Sequence, residues 1–550
     1  MKLSNFLLCC IAFTQTTAGI VIPQDVQDEF VRNPSFPIRS SIFSSFSVQS
    51  ILSLFSPYQS ISDNDFETWL EKQKVASFDS ILNNIGGTSE VFDELEVYKG
   101  VVIASPSKIY PNYFYQWTRD AAITIKTLLY ELEDELVSST PEVSKSSSKL
   151  IDVVESYIEN SYHLQRLPNF SGSFEDDAKS GLGEPKFHVN NTPFNEVWGR
   201  PQRDGPGLRA ITTMYYLEIL DKFNLQVQSD ILKSSGYIYK KIIKPDLVYV
   251  MKNWHLQGFD LWEEVNSTHF FTSITQLKAL KDGMYWAEQF QDEKFKESLI
   301  STFSELKGAI DTDFGFKSDI LPHIIECPSF WKIGKRNGLD AASLLGSIHS
   351  HEISDVKDQD SFQIPFDIDD SYVINTLASM VADMKYRYPI NHNKVGLFAT
   401  GVALGRYPED IYDGYATSEG NPWFISTATA GEIIYRMIYK LKSFEQDIVI
   451  NISNRDFYHQ FINLGENSDD EGEPVVLRFN SAAYNTLMSN LFKYSDSFLQ
   501  VVKEHVDYQG KMSEQFNRYH GYMQGARELT WSYSAVWNAI RWREKTLKVL

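Results

Sequence analysis

The stretch Gly258-Phe-Asp-Leu-Trp-Glu-Glu-Val265 sets three carboxylates and an indole within five residues: Asp260, Trp262, Glu263 and Glu264. Adjacent glutamates repel each other and are costly to desolvate, so a fold leaves such a pair in water or puts it to use. The neighbours Phe259, Leu261 and Val265 are apolar, which argues against a solvated face. A carboxylic acid in such surroundings keeps its proton to a higher pH and can donate it to a leaving group. The charges of Asp260 and Glu264 are expected to favour that proton on Glu263. The plainer alternative is a helix entry whose acidic residues complement the helix dipole.

Other segments share this composition. They are Tyr113-Phe-Tyr-Gln-Trp-Thr-Arg-Asp120, Trp198-Gly-Arg-Pro-Gln-Arg-Asp-Gly-Pro206, Arg336-Asn-Gly-Leu-Asp340, Gly405-Arg-Tyr-Pro-Glu-Asp410 followed by Glu419-Gly-Asn-Pro-Trp423, and Met512-Ser-Glu-Gln515 followed by Leu529-Thr-Trp-Ser532. Arg, Asp, Glu, Trp and Tyr dominate, and no Ser–His pair accompanies them. Such a set suits a neutral, polyhydroxylated ligand. Guanidinium and carboxylate groups bridge vicinal hydroxyls, and aromatic rings stack on the C–H faces of pyranoses. Taken singly, each Trp reads as core and each Arg–Asp pair as a structural salt bridge; it is the repetition over several loops that favours a binding site. Zinc spacing and a phosphate loop are absent, and His349 and His351 lack a third ligand, so neither metal nor cofactor is expected.

The elements that must position these loops are helices. Phe66, Trp69, Leu70, Phe78, Ile81, Leu82 and Ile85 recur at helical spacing and stop at Gly86-Gly87. Ile125, Leu128, Leu129 and Leu132 mark a second helix after Asp120, and a third is expected over roughly 150–164 behind a Ser-rich surface loop at 138–149. Nine more fit near 207–223, 236–254, 268–290, 293–310, 340–349, 369–387, 422–443, 480–507 and 529–546. The aromatic and charged loops lead into every second helix. A closed double ring of helices, all-α, would put them on one rim, where an active site belongs.

The chain of 550 residues is 43% hydrophobic and carries a net charge of −21. It can bury a large core, and its charge argues against nucleic acid or an anionic membrane as partner. Lys2, the apolar run Phe6 to Phe13 and the small residues Thr16 to Gly19 resemble a secretory signal cleaved near Ala18, giving a leader over 1–18. An irregular Ser-rich extension follows over 19–62, then the helical domain over 63–550. No later stretch is apolar enough to span a bilayer. Of three cysteines, Cys9 and Cys10 fall in the leader, leaving Cys327 without a disulfide partner. Sequons at Asn169, Asn190, Asn266 and Asn451 fit the secretory route, although burial is expected to block Asn266 beside the acidic stretch. No sustained heptad appears, so a monomer is expected.

These segments resemble, in order and from about Val101 to Trp542, the fungal glucoamylases of glycoside hydrolase family fifteen, the yeast members above all. The resemblance implies an (α/α)6 barrel of twelve helices. It further implies an inverting exo-hydrolase that takes glucose from α-glucan or maltooligosaccharide ends. Glu263 would be the general acid and Glu514 the general base. Arg119, Asp120, Arg406, Tyr407, Asp410 and Glu264 would hold the terminal glucose together with Asp260, Leu261 and Trp262. Tyr113, Trp117, Trp198 and Trp423 would line the pocket, and Arg200 and Asp204 would brace its rim. The base motif reads Met-Ser-Glu-Gln-Phe-Asn where many filamentous-fungal relatives have Tyr-Asp after the Gln. A C-terminal starch-binding module is not expected. A trehalose- or dextran-cutting enzyme on the same barrel and a non-catalytic carbohydrate sensor are the competing readings. Retention of both glutamates speaks against the sensor.

Overall fold

The apolar spacing resolves into twelve helices of ten residues or more among the described residues of the computed structural model, which are 63–88, 96–138, 144–353, 362–394, 399–463 and 473–550. The expected leader and Ser-rich extension lie outside them. The helices are α1 (Asp63–Asn83), α2 (Thr118–Ser138), α3 (Lys145–Leu164), α4 (Gly205–Lys222), α5 (Lys244–Asn253) and α6 (Phe270–Gln289). Then follow α7 (Glu293–Gly308), α8 (Ala341–Ser350), α9 (Ser371–Arg387), α10 (Phe424–Ser443), α11 (Ala482–His505) and α12 (Thr530–Leu547).

Each even-numbered helix packs on the next even one, and α12 returns to α2, so the six close an inner ring. The odd helices α3, α5, α7, α9 and α11 each pack outside the even helix before them. Helix α1 lies on α12 through Phe78 against Trp537 and Lys74 paired with Glu544 at 2.6 Å. This is an (α/α)6 barrel. Its two layers follow from sequence: α10 is buried on nearly every side, whereas α7 buries only Phe295, Leu299, Thr302, Phe303 and Leu306, one helical stripe. Polar bonds close the ring at the α2–α12 seam, where Asn538 donates to Thr127 Oγ1 at 3.0 Å and the hydroxyls of Thr127 and Ser534 lie 2.5 Å apart.

Two expectations need correction. Helix α3 starts at Lys145 rather than near residue 150, because Ser144 caps it by accepting from the Ser147 N–H at 3.0 Å; in its first turn Ser146 and Ser148 are exposed and Ser147 is buried. The helix expected over 236–254 is interrupted by a π turn at Tyr239–Ile243 just before Pro245, which has no N–H to give to the ladder.

Among the described residues, strands are confined to four two-stranded antiparallel ribbons. Three frame the rim. The first pairs β1 (Tyr115–Trp117) with β2 (Lys186–His188), the second β3 (Gly258–Phe259) with β4 (Asn266–Ser267). The fourth ribbon pairs β7 (Gln515–Phe516) with β8 (Met523–Gln524), while β5 (Ile448–Ile450) and β6 (Val475–Leu477) form the third.

Candidate active site

The loops entering α2, α4, α6, α10 and α12 converge on a cavity of about 300 Å³, a size at the low end for small-molecule sites. Its wall includes Tyr113, Trp117, Arg119, Asp120, Trp198, Leu261, Trp262, Glu263, Glu264, Arg406, Trp423 and Glu514. Twelve of the residues singled out from sequence therefore meet in one place. The two glutamates, far apart in the chain, face the same space.

Glu263 sits on a tight turn between β3 and β4. Its φ of 68° is a left-handed conformation, costly for a side-chain-bearing residue, and it turns the carboxylate into the cavity. Trp117 Nε1 and Gln202 Nε2 donate to Oε1 at 2.6 and 2.7 Å, and Arg119 Nη2 lies 3.9 Å away. Arg119 is itself held by Asp204 at 3.0 Å, which also caps α4 by accepting from Gly205 N at 2.8 Å.

The two carboxylates near Glu263 have partners of their own. Glu264 turns to Arg406 Nη2 at 2.7 Å, Arg336 Nη2 at 2.8 Å and the Tyr407 hydroxyl. Burial raises its pKa, but Arg406, the Tyr407 bond and Arg336 outweigh that and hold it below the ordinary value. Asp260 accepts from the N–H groups of Glu264 and Val265 at 2.7 and 2.8 Å, and so shapes the turn from beneath; burial raises its pKa.

Glu514 is 1% exposed. Burial pushes it up to about 8, against the pull of Arg406 and of hydrogen bonds with Tyr113 and Tyr412. Those two hydroxyls are 2.9 Å apart. Gly525 makes room for the carboxylate: at φ +75°, a Cβ there would stand 2.4 Å from Glu514 Oε2.

Five residues of the expected site lie behind the wall: Asp260, Tyr407 and Asp410, expected to hold the sugar, and Arg200 and Asp204, expected to brace the rim. Asp260 and Asp204 brace as described. Arg200 bonds Glu184 at 3.1 Å and the carbonyls of Phe194 and Glu196. Asp410 clamps Arg406 by two bonds at 2.9 and 2.6 Å, and Tyr407 supports Glu264 while its ring stacks under Arg336 at 3.8 Å. Sequence reasoning missed Gln202, Tyr412, Trp531 and Lys186. Gln202 and Trp531 lie within segments already suspect for composition but were given no role, and Tyr412 falls two residues beyond one of them. Lys186 gave no signal: it is a lone lysine on β2, yet its ammonium lies 3.5 Å from the Trp198 ring and 4.6 Å from that of Trp117. Burial lowers its pKa to about 8, opposed by Glu263.

On the wall the buried indole nitrogens Trp198 Nε1 and Trp423 Nε1 lack hydrogen bonds within the protein, while Arg119 Nε and Asp120 Oδ2 meet only each other, as an ion pair at 3.3 Å. Native proteins rarely leave such groups unmatched, so a ligand with several hydroxyls is the natural complement. Among the described residues, His269, Glu326 and Cys327 bring possible metal ligands within 4.8 Å of one another. The ring nitrogens of His269 are already taken, by Glu326 at 3.2 Å and by the Val265 carbonyl at 2.8 Å, which makes the group an ion pair under the Glu263 turn. Of the sequons, Asn190, Asn451 and, against expectation, Asn266 are exposed. Asn169 is half-buried, with Nδ2 bonded to the carbonyls of Leu167 and Gly181.

Comparison with known proteins agrees with this geometry. A glucoamylase of Saccharomycopsis fibuligera is 42% identical over 491 residues, covering 88% of this chain and 91% of that one. The intracellular, sporulation-specific glucoamylase of Saccharomyces cerevisiae is 38% identical over 495 residues, covering 88% and 85%. A solved Saccharomycopsis fibuligera glucoamylase superposes with a TM-score of 0.81 at 40% identity, over 90% of this chain and 99% of the other. The Hypocrea jecorina glucoamylase gives 0.74 at 30% identity, over 87% and 72%. The family described as Glycosyl hydrolases family 15 matches residues 76–541, and the chain belongs to it.

Proposed function

We propose that Glu263 and Glu514 are the acid and the base with which this glycoside hydrolase works. It is a glucoamylase, releasing glucose from the non-reducing ends of α-1,4-glucans with inversion. Glu263 gives its proton to the glycosidic oxygen as the C1–O bond breaks. Glu514 accepts a proton from the water whose oxygen bonds to C1 from the opposite face, and the product is β-glucose. Arg119, Asp120 and Arg406 offer hydrogen bonds to the sugar hydroxyls, and Trp117, Trp198 and Trp423 offer their rings. The observation that carries the reading is the meeting of both glutamates on one aromatic-walled cavity with two unmatched indole donors.

Incubation with maltose, starch, trehalose and dextran, with the released anomer followed by NMR, tests it. β-Glucose from maltose and starch is expected. Initial α-glucose, or release from trehalose or dextran in preference, overturns it.

One observation favours exchanged roles: burial lets Glu514 keep its proton up to about pH 8, as an acid must, while the Glu263 carboxylate accepts from Trp117 and Gln202. The pH profile discussed below separates the two assignments. We also infer passage through the secretory route from the leader-like start and the three exposed sequons. A mass decrease on deglycosylation of the expressed protein supports it, and an unmodified protein with residues 1–18 intact refutes it.

A further inference from the structure

Two loops that build the cavity wall rise from it side by side. One carries Tyr113 and the other Tyr412, whose hydroxyls touch at the wall. Three residues further out in each loop stand Tyr110 and Tyr415. They are 75% and 41% exposed, and their rings stack with centroids 5.1 Å apart and planes 7° from parallel. Tyr110 holds a left-handed φ of 50°, a conformation rare for an aromatic residue, and Ile109 beside it is 84% exposed. The second loop is seated against the base. Gly414, at φ +92°, approaches Gly525 so closely that a Cβ on Gly414 would lie 2.7 Å from the Gly525 Cα, and Gln524 Nε2 bonds the Asp413 carbonyl at 2.5 Å. The stack is therefore positioned from the same backbone that positions Glu514.

Exposed aromatic area in a strained loop beside a sugar cavity calls for an occupant. A cavity of about 300 Å³ holds only the end of a glucan, so the rest of a long chain must cross the rim. We propose that the Tyr110–Tyr415 stack is an aromatic platform for glucose units distal to the scissile bond, giving preference for long α-glucans over maltose. The proposal rests on the α-glucan reading of the cavity. The free face of each ring offers a flat apolar surface to pyranose C–H groups, and the phenol hydroxyls remain free to bond outward.

The test compares kcat/KM on maltose and on maltoheptaose for wild type, Tyr110→Ala, Tyr415→Ala and the double variant, with Tyr110→Phe and Tyr415→Phe as ring-preserving controls. The ratio of maltoheptaose to maltose kcat/KM is expected to fall about three- to tenfold in the alanine variants and to be kept by the phenylalanine ones. An equal fall on both substrates would identify a clamp between loops, and an unchanged ratio would leave the rings idle; either overturns the platform. A Glu514→Gln variant assayed alongside keeps the outcomes apart. If it is inactive while the ratio is unmoved, only the platform fails; if it is active, the reading of the cavity fails.

Discussion

Glu263 and Glu514 differ less in chemistry than in what surrounds them, and that is where their roles are to be tested. Removing either carboxylate leaves the cavity walls in place, so Glu263→Gln and Glu514→Gln are expected to fold normally and to lose at least about a hundredfold in kcat. Thermal unfolding and steady-state rates together check this. The Tyr412 hydroxyl favours the charged form of Glu514. Tyr412→Phe should therefore raise the Glu514 pKa further. If Glu514 is the base, it must be ionised, and the acid limb of the kcat/KM profile moves to higher pH. If it is the acid, the alkaline limb moves instead. The glutamates were legible because each lies in a distinctive run of residue types. Gln202, Tyr412 and Lys186 matter through where the fold puts one polar atom, which composition does not encode. Nor does composition encode that Asp410 turns both its oxygens to Arg406, or that Asp260 gives one of its own to the backbone of the Glu263 turn.

At the scale of elements, the turn bearing Glu263 is held from below by His269 at the start of α6. Burial alone would lower the His269 pKa, but Glu326 and, more weakly, Asp260 and the neighbouring Cys327 raise it to about 10. The unfolded chain has the ordinary value near 6.5. The ion pair thus contributes its full stability below pH 6.5, and that contribution fades as pH rises toward 10. Melting temperature should decline across this interval in wild type, and the decline should be shallower in His269→Gln; parallel curves would deny the linkage. On the opposite wall, Gly525→Ala places a methyl against the Glu514 carboxylate at an unfavourable φ. It should lower kcat at least about tenfold while costing on the order of 1 kcal/mol of stability, measured by denaturant titration. Helix number and order were legible because the apolar spacing runs without interruption. The start of α3 and the π turn before Pro245 were not, since a serine cap and a missing donor act on single hydrogen bonds.

On the scale of the whole molecule, the inner ring was legible only as an alternation of loops. Its closure depends on contacts between α2 and α12, more than four hundred residues apart in the bonds Thr127–Ser534 and Asn538–Thr127. Truncation before α12 would expose the buried sides of α2 and α10 to water. A chain ending at residue 528 is expected to lose cooperative unfolding in calorimetry rather than merely melt a few degrees earlier. Sugar attachment is expected at Asn190, Asn266 and Asn451 and not at Asn169, whose amide nitrogen is engaged by two carbonyls; glycopeptide mass spectrometry reads this directly.

The seam between the last inner helix and the first also sets a timetable. A ribosome delivers the half of the cavity that bears Glu263 about 250 residues before the half that bears Glu514. Until α12 docks, no complete cleft exists in which a glucan could be cut. The nascent polypeptide is a catalyst with its circuit still open, harmless to whatever polysaccharide it meets on its way.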